Sequence, residues 1–392
     1  MGLLKTMMNC ERYFILMVVL ILGLGGEFAH GDEIFLRGEV EGRTGVTLDV
    51  NDAGVLFRRG SAAAELYSWD RVRDLQADDS SIQKKMEGYR LFAEDIWRAR
   101  ERVERDDYAL AEPIFEARFK SIMGRTDRSA LVVAEGLLRC RLARGAREGA
   151  VLPWLEAWRM KQAGVETPAY GRMKPVMDLN SGLCPALAPA WIDSPALRAM
   201  VTELGMYIPI DSPVVEEVSR LYLQSAQRVL HMIPDPSIGG DEGELTGGEE
   251  ASVRREAGRS VSVMFVKAFT DAVSPATGAE ERKRAEKRLS VWVSDAGWKG
   301  AWAHFARGEA RINSGDEDEE QRGLVDLLYV PSEYVEQDWY LAGVALADCV
   351  RYLEGHGRVD AAASLRDDLV KEFADHPVVR LQSVARADGS DK

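Results

Sequence analysis

The sequence predicts a mainly α protein that carries a small antiparallel β module at its N-terminal end. Three observations predict it. Residues from Ile34 to Leu75 alternate apolar and polar with period two, broken by Gly, Asn and Asp. From Met86 onward the apolar residues recur at three-to-four spacing, the stripe of amphipathic helices. Short polar turns divide that second part into consecutive helix pairs.

The 392 residues suit two or three domains, at roughly 100–200 residues each. With 46% hydrophobic and 29% charged residues, the chain has a globular composition, which excludes wholesale disorder. Its net charge of −14, from 50 basic and 64 acidic side chains, argues against a protein that coats nucleic acid. It suits a dispersed, soluble protein.

The first thirty residues carry an address. Lys5 and Arg12 precede an apolar run, Tyr13 to Leu24, which is shorter than the roughly 20 residues that span a bilayer. Ala29 and Gly31 provide the small residues of a signal-peptidase site. A signal peptide over 1–31, cut after Gly31, is expected, with the mature protein periplasmic or extracellular. The alternative is an uncleaved signal anchor. Cleavage leaves Cys140, Cys184 and Cys349, an odd number, so at least one thiol stays unpaired. Cys140 and Cys349 sit on apolar stripes, where a thiol packs as a small hydrophobe, and no disulfide is expected.

The β module is expected over 32–78. Ile34-Phe35-Leu36, Val46 to Val50, Val55-Leu56-Phe57 and Leu66 to Trp69 read as strands, with Asn51-Asp52-Ala53-Gly54 as a turn. Closure into a small barrel is expected, because open edges invite unwanted pairing. The run LRGEVEG, GVTLDV, GVLF and LYSWDRVRDL resembles the SH3-like or Sm-like barrels that precede helical repeats in some exported bacterial proteins. That resemblance implies a structural or docking element.

Helices are expected over 82–233 and 251–385. Met86, Tyr89, Phe92, Ala93, Ile96 and Trp97 mark the first, and Asp106-Asp107 breaks it. Tyr108, Ala111, Phe115 and Phe119 mark the next, followed by Leu131–Leu142 and Ala150–Met160 around Arg144-Gly145-Ala146-Arg147. Helices also fit Ala196–Leu204 and Val214–Leu230, with later stripes on Phe265, Phe269, Trp298, Trp302 and Phe305. Between them, Asp178–Trp191 holds two prolines and reads as an ordered loop, since its leucines and Trp191 need burial. Residues 234–250 are rich in Gly, Pro and acids and read as a flexible loop. Ser314–Glu320 reads as a second acidic break.

Ala150, Trp154 and Ala157, with Gly145 at the preceding turn, have the small–aromatic–small spacing of a tetratricopeptide second helix. Ala111 and Phe115 match two of its positions. Trp339-Tyr340-Leu341-Ala342-Gly343 echoes the first helix, and Gly357 opens another second helix. The chain therefore resembles tetratricopeptide-repeat proteins over about half its length, without a full consensus unit. The resemblance implies an α-solenoid of antiparallel helix pairs and a surface that binds a protein or peptide.

No catalytic motif stands out. There is no phosphate-binding loop with its Lys, no nucleophile elbow and no His-Glu-x-x-His. His231, His304, His356 and His376 are widely separated. Asp316, Asp318 and Glu320 alternate as calcium ligands do, but Gln321 stands where an EF-hand needs Gly and Leu327 where it needs Glu. No cofactor, metal or catalytic residue is assigned. The expected function is an exported, non-enzymatic interaction or scaffold protein. The alternative is an envelope polysaccharide hydrolase or lyase using carboxylates of the 178–191 or 234–250 loop. Nucleic-acid binding would need Arg37, Arg43, Arg58 and Arg59 gathered on one face of the β module.

Overall fold

A computed structural model of the chain describes residues 31–165, 169–207, 209, 211–232, 258, 260–274 and 276–380. The signal segment before Gly31, the 234–250 loop and residues 381–385 lie outside the described residues. The chain divides into two compact units, Met1–Glu94 and Asp95–Lys392.

In the first unit, strands β1 (Asp32–Leu36), β2 (Arg43–Asn51), β3 (Gly54–Arg58), β4 (Glu65–Ser68) and β5 (Val72–Gln76) form one antiparallel sheet. Its order is β4-β3-β2-β1-β5, so four strands meander and the fifth returns beside the first. The register slips between Thr47 and Asp49, a bulge that bends the long β2.

The expected barrel closure does not occur. β4 and β5 are the two edges, and each pairs with one neighbour only. The reason lies in helix α1 (Ser80–Val103), whose first turns supply what closure would have supplied. Tyr89 stacks on Trp69 at 4.8 Å, and its hydroxyl donates to Asp52 at 2.7 Å. Lys85 pairs with Asp49 at 3.0 Å and Arg37 with Glu94 at 2.8 Å. Trp69, Val55, Leu75 and Met86 are fully buried. Short, charged edge strands limit stray pairing without a barrel.

The second unit is helical. It takes in the end of α1, then α2 (Tyr108–Ile122), α3 (Arg128–Ala143), α4 (Arg147–Gln162), α5 (Pro195–Met206) and α6 (Pro213–Val229). These are followed by α7 (Val261–Val273), α8 (Ala279–Leu289), α9 (Trp298–Ile312), α10 (Glu317–Glu333), α11 (Trp339–Gly355) and α12 (Val359–Glu372). From α2 onward each helix packs on its successor, and α4–α6, α7–α9 and α9–α11 also touch. The most extensive contacts join first and second neighbours, as in a helical-repeat array. Ala150, Trp154 and Ala157 are all fully buried, and Gly145 takes φ +73° to close α3.

The acidic stretch 314–320 is a helix start. Asp316 caps α10 by accepting from the backbone of Asp318 and Glu319, both at 3.1 Å. Glu317 to Glu320 then fill the first turn, where the helix dipole favours negative charge.

The 178–191 loop packs into the second unit from Ser181 onward, while Leu179 before it is exposed. Leu183, Cys184, Leu187 and Ala188 are at most 1% exposed. Its carbonyls are satisfied by side chains from four helices. Ser262 of α7 donates to Ser181 O at 2.6 Å, and Trp154 of α4 to Gly182 O at 2.9 Å. Trp302 of α9 donates to Pro185 O at 3.1 Å, and Tyr222 of α6 to Leu187 O at 2.6 Å. Arg147 of α4 donates to both Ala186 O and Ala188 O, the latter at 3.0 Å. Trp191 in turn donates to Ser225 on α6 at 2.8 Å. Gly182 takes φ +72°, and a Cβ there would lie 1.9 Å from the Trp158 indole. No other residue fits.

Helices α9 and α10 approach backbone to backbone. A Cβ on Gly323 would sit 2.8 Å from the Gly308 carbonyl, and one on Gly308 would sit 2.7 Å from Leu327. Beside this crossing Asp326 accepts from His304 at 3.0 Å, Arg307 at 2.8 Å and Arg311 at 2.9 Å. Burial raises the Asp326 carboxyl, but the hydrogen bonds from His304 and Arg307 and the nearby guanidinium charges outweigh it and hold it below the usual range. Gly323→Ala is expected to destabilise the protein by about 1–3 kcal/mol through overpacking, read as a lower urea midpoint at unchanged slope. On an open helix face the same change would stabilise by about 1 kcal/mol, and that result would deny the close approach.

Candidate binding site

The turn between α3 and α4 brings Arg147 inward. Gly145 N–H donates to Leu142 O at 3.1 Å and Ala146 N–H to Arg141 O at 2.8 Å, which ends α3 and starts α4 at once. Arg147 is therefore the first helical residue of α4 and is buried. Its two terminal nitrogens hold the loop carbonyls of Ala186 and Ala188.

The start of α11 faces it. Asp338 caps that helix, accepting from Leu341 N–H at 2.9 Å, and lies 3.7 Å from the Arg147 guanidinium. The Tyr340 ring lies against the same guanidinium, 3.6 Å from its carbon to the ring centroid. Behind Tyr340 stands His376, buried, with its ring centre 5.0 Å away. Its Nε2 lies 2.9 Å from the Tyr340 carbonyl, while Nδ1 accepts from Val378 N–H at 3.2 Å. That pair of partners selects the neutral Nε2–H tautomer. Burial, aided by the Arg147 charge, lowers His376 to about 4. Gly343 makes room for the ring, since a Cβ there would meet it at 2.6 Å.

Arg147, Asp338 and Tyr340 border a cavity of about 400 Å³ that also touches Leu142, Ala186 and Trp339. Arg144, Asp375 and Arg380 stand at its edge. Three polar atoms among its lining residues are buried and have no hydrogen-bond partner within the protein: Arg147 Nε, Asp338 Oδ2 and Tyr340 Oη. Burial raises the Asp338 carboxyl above its ordinary value, although Arg147 and the helix-capping bond pull the other way. Tyr340 is also raised by burial. Buried polar atoms are nearly always satisfied, and these three are exceptions that the surrounding protein closes off from solvent.

The groups singled out in the sequence lie elsewhere. Asp178 accepts from the backbone and hydroxyl of Ser181, at 2.8 and 2.7 Å, within its own loop. Cys140, Cys184 and Cys349 are buried free thiols, each pushed by burial to about 12, which leaves no thiolate for chemistry at neutral pH. His304 belongs to the Asp326 network, and His356 bonds the Tyr352 carbonyl at the end of α11 at 2.8 Å. Arg37 and Arg43 are held by Glu94 and Glu39, both at 2.8 Å. Among the described residues no three His, Cys, Asp or Glu side chains converge as metal ligands. Sequence reasoning missed Arg147, which reads there as one member of a polar turn, and Asp338, whose only signal is its place before the Trp339 run.

One half-buried acid outside the cavity carries a pH signature. Glu309 of α9 has an unpartnered Oε1, and burial pushes its carboxyl up from 4.5 to about 7 against the attraction of Arg351. The fold thus favours the protonated acid. Its contribution is fully present below the unfolded value and is lost as pH rises through about 7. In Glu309→Gln the fall in thermal stability between about pH 5 and pH 8 is expected to shrink. An undiminished fall would show that Glu309 is not held protonated.

Compared with known proteins, the chain matches no family model, no curated protein sequence and no solved structure.

Proposed function

We propose that the protein is an exported, non-enzymatic interaction protein that holds a partner polypeptide at the cavity between the α3–α4 turn and the start of α11. The single observation that carries this is the cavity itself, lined by Arg147, Asp338, Tyr340 and the aromatic Trp339. At about 400 Å³ it falls within the range of ligand pockets. Trp339 beside it is 42% exposed, an aromatic surface of the kind enriched at interaction sites.

Other features support the finer parts. The turns at Gly145 and Gly357, both with positive φ, and the buried Ala150–Trp154–Ala157 face support a tetratricopeptide-like array. The meander with a returning fifth strand supports an SH3-like origin for the β module, here left open. Lys5, Arg12, the Tyr13–Leu24 run and the small residues before Asp32 support export. No helix among the described residues is long and apolar enough to cross a membrane. A peptide has to approach the cavity from outside, because the interior of the helical unit is filled by the protein's own 178–191 loop.

Site-specific photocross-linking in intact cells tests the proposal. A cross-linking residue in place of Trp339 is expected to capture a discrete protein in the envelope fraction, while one in place of exposed Val325 on α10 does not. Recovery of glycan with no protein would favour the polysaccharide enzyme instead. Recovery of the chain in the cytosol alone would remove export.

A further inference from the structure

We infer that the outward face of α8, with the apolar surface beside it, rests on an anionic lipid bilayer. This surface is separate from the cavity, and the inference does not depend on the partner proposed there. The last two turns of α8 carry Lys283, Arg284, Lys287 and Arg288, at positions i, i+1, i+4 and i+5. That spacing puts all four along one side of a helix. All four are exposed, and among the described residues none is in an ion pair. The acids of the same helix are placed otherwise. Glu280 and Glu281 lie in its first turn, and Glu286 turns to Arg311 of α9 at 2.7 Å. In a chain of net charge −14, four unpaired bases on one helix face are a local exception that attracts anions.

Apolar residues continue the surface past the end of α8. Val291 is 73% exposed, and Val325 and Tyr329, one turn apart on α10, are 66% and 42% exposed. The two stretches meet at His304. Its Nε2 lies 3.1 Å from the Val293 carbonyl, and its ring centre 4.5 Å from that of Tyr329. A nucleic acid would engage the bases and leave these apolar side chains in water. A polypeptide would need its own acids and apolar residues in matching register. A bilayer surface offers headgroup anions and an apolar boundary everywhere at once, the setting in which basic residues and Tyr are enriched. The contact is peripheral, because Ala285 and Leu289 keep the other side of α8 buried in the protein.

Flotation of the full chain with vesicles tests the inference. Vesicles of three parts phosphatidylcholine to one of phosphatidylglycerol are compared with phosphatidylcholine alone, so that the Tyr13–Leu24 run meets lipid in both. Binding to the anionic vesicles is expected to be roughly tenfold tighter or more. That margin is expected to vanish in about 1 M salt, where the screening length falls to about 3 Å. Each base near such a surface is worth roughly fivefold, so Lys283→Gln, Arg284→Gln, Lys287→Gln and Arg288→Gln together are expected to abolish the margin. Removing equal charge at other exposed positions, by Lys84→Gln, Lys120→Gln, Arg172→Gln and Lys174→Gln, is expected to keep it. Val291→Ser is expected to weaken anionic-vesicle binding roughly threefold, about the worth of one buried methylene. No anionic preference in the unaltered chain, an equal loss in the two quadruple variants, or full binding by Val291→Ser overturns the inference. Displacement by millimolar glycerol phosphate also overturns it, because the face would then hold a single free anion. Retention on poly-glutamate without vesicle preference would give the face to an acidic polypeptide instead.

Discussion

A buried loop cannot leave its backbone polar groups unmatched, and that constraint organises the helical unit. The 178–191 segment has no regular secondary structure to satisfy its carbonyls, yet Leu183, Leu187 and Cys184 are buried. Each stranded carbonyl would cost about 1–3 kcal/mol. Six of them are instead met by Ser262, Trp154, Trp302, Tyr222 and, twice, Arg147. These donors come from α4, α6, α7 and α9, helices distant in sequence. Burial of Leu183 and Leu187 adds about 1.5–3 kcal/mol apiece. The loop therefore acts as an internal ligand that ties non-adjacent members of the array together, where an open solenoid would have only neighbour contacts.

Arg147 connects that tie to the candidate site. Its terminal nitrogens are committed to the loop, while its flat face lies against Tyr340. The planar, always-charged guanidinium can serve both at once; a lysine ammonium could not. Asp338 offsets the charge and also caps α11. One buried ion pair thus fixes a loop and a helix start, and with them part of the cavity's wall.

The helices and most strands were legible in the sequence because hydrophobic period is a local signal. Leu131–Leu142 and Ala150–Met160 fall inside α3 and α4, and Val214–Leu230 almost coincides with α6. The ordered character of 178–191 was legible too, since Trp191, Leu183 and Leu187 demanded burial, although Leu179, expected with them, is 80% exposed. What covers them was not, because the donors lie up to 117 residues away. The same holds for β5, whose partner is β1 at the far end of the module. Barrel closure was expected from the need to protect edges, and the sequence does not show that Tyr89 and Met86 of the following helix cover the sheet. Arg147 and Asp338 look like a turn residue and a helix cap. Only the fold makes them a pair.

Hydrogen exchange resolved by segment tests the role of the loop most directly. Within the loop, the amides of Asp178, Gly182 and Leu187 bond other loop carbonyls, so they exchange only when the loop opens. If the loop is the tie, these amides exchange with the same opening free energy as α4, α6 and α9, and Tyr222→Phe lowers all of them together. A loop that exchanges rapidly while those helices stay protected would contradict this, and would leave the array held by neighbour packing alone.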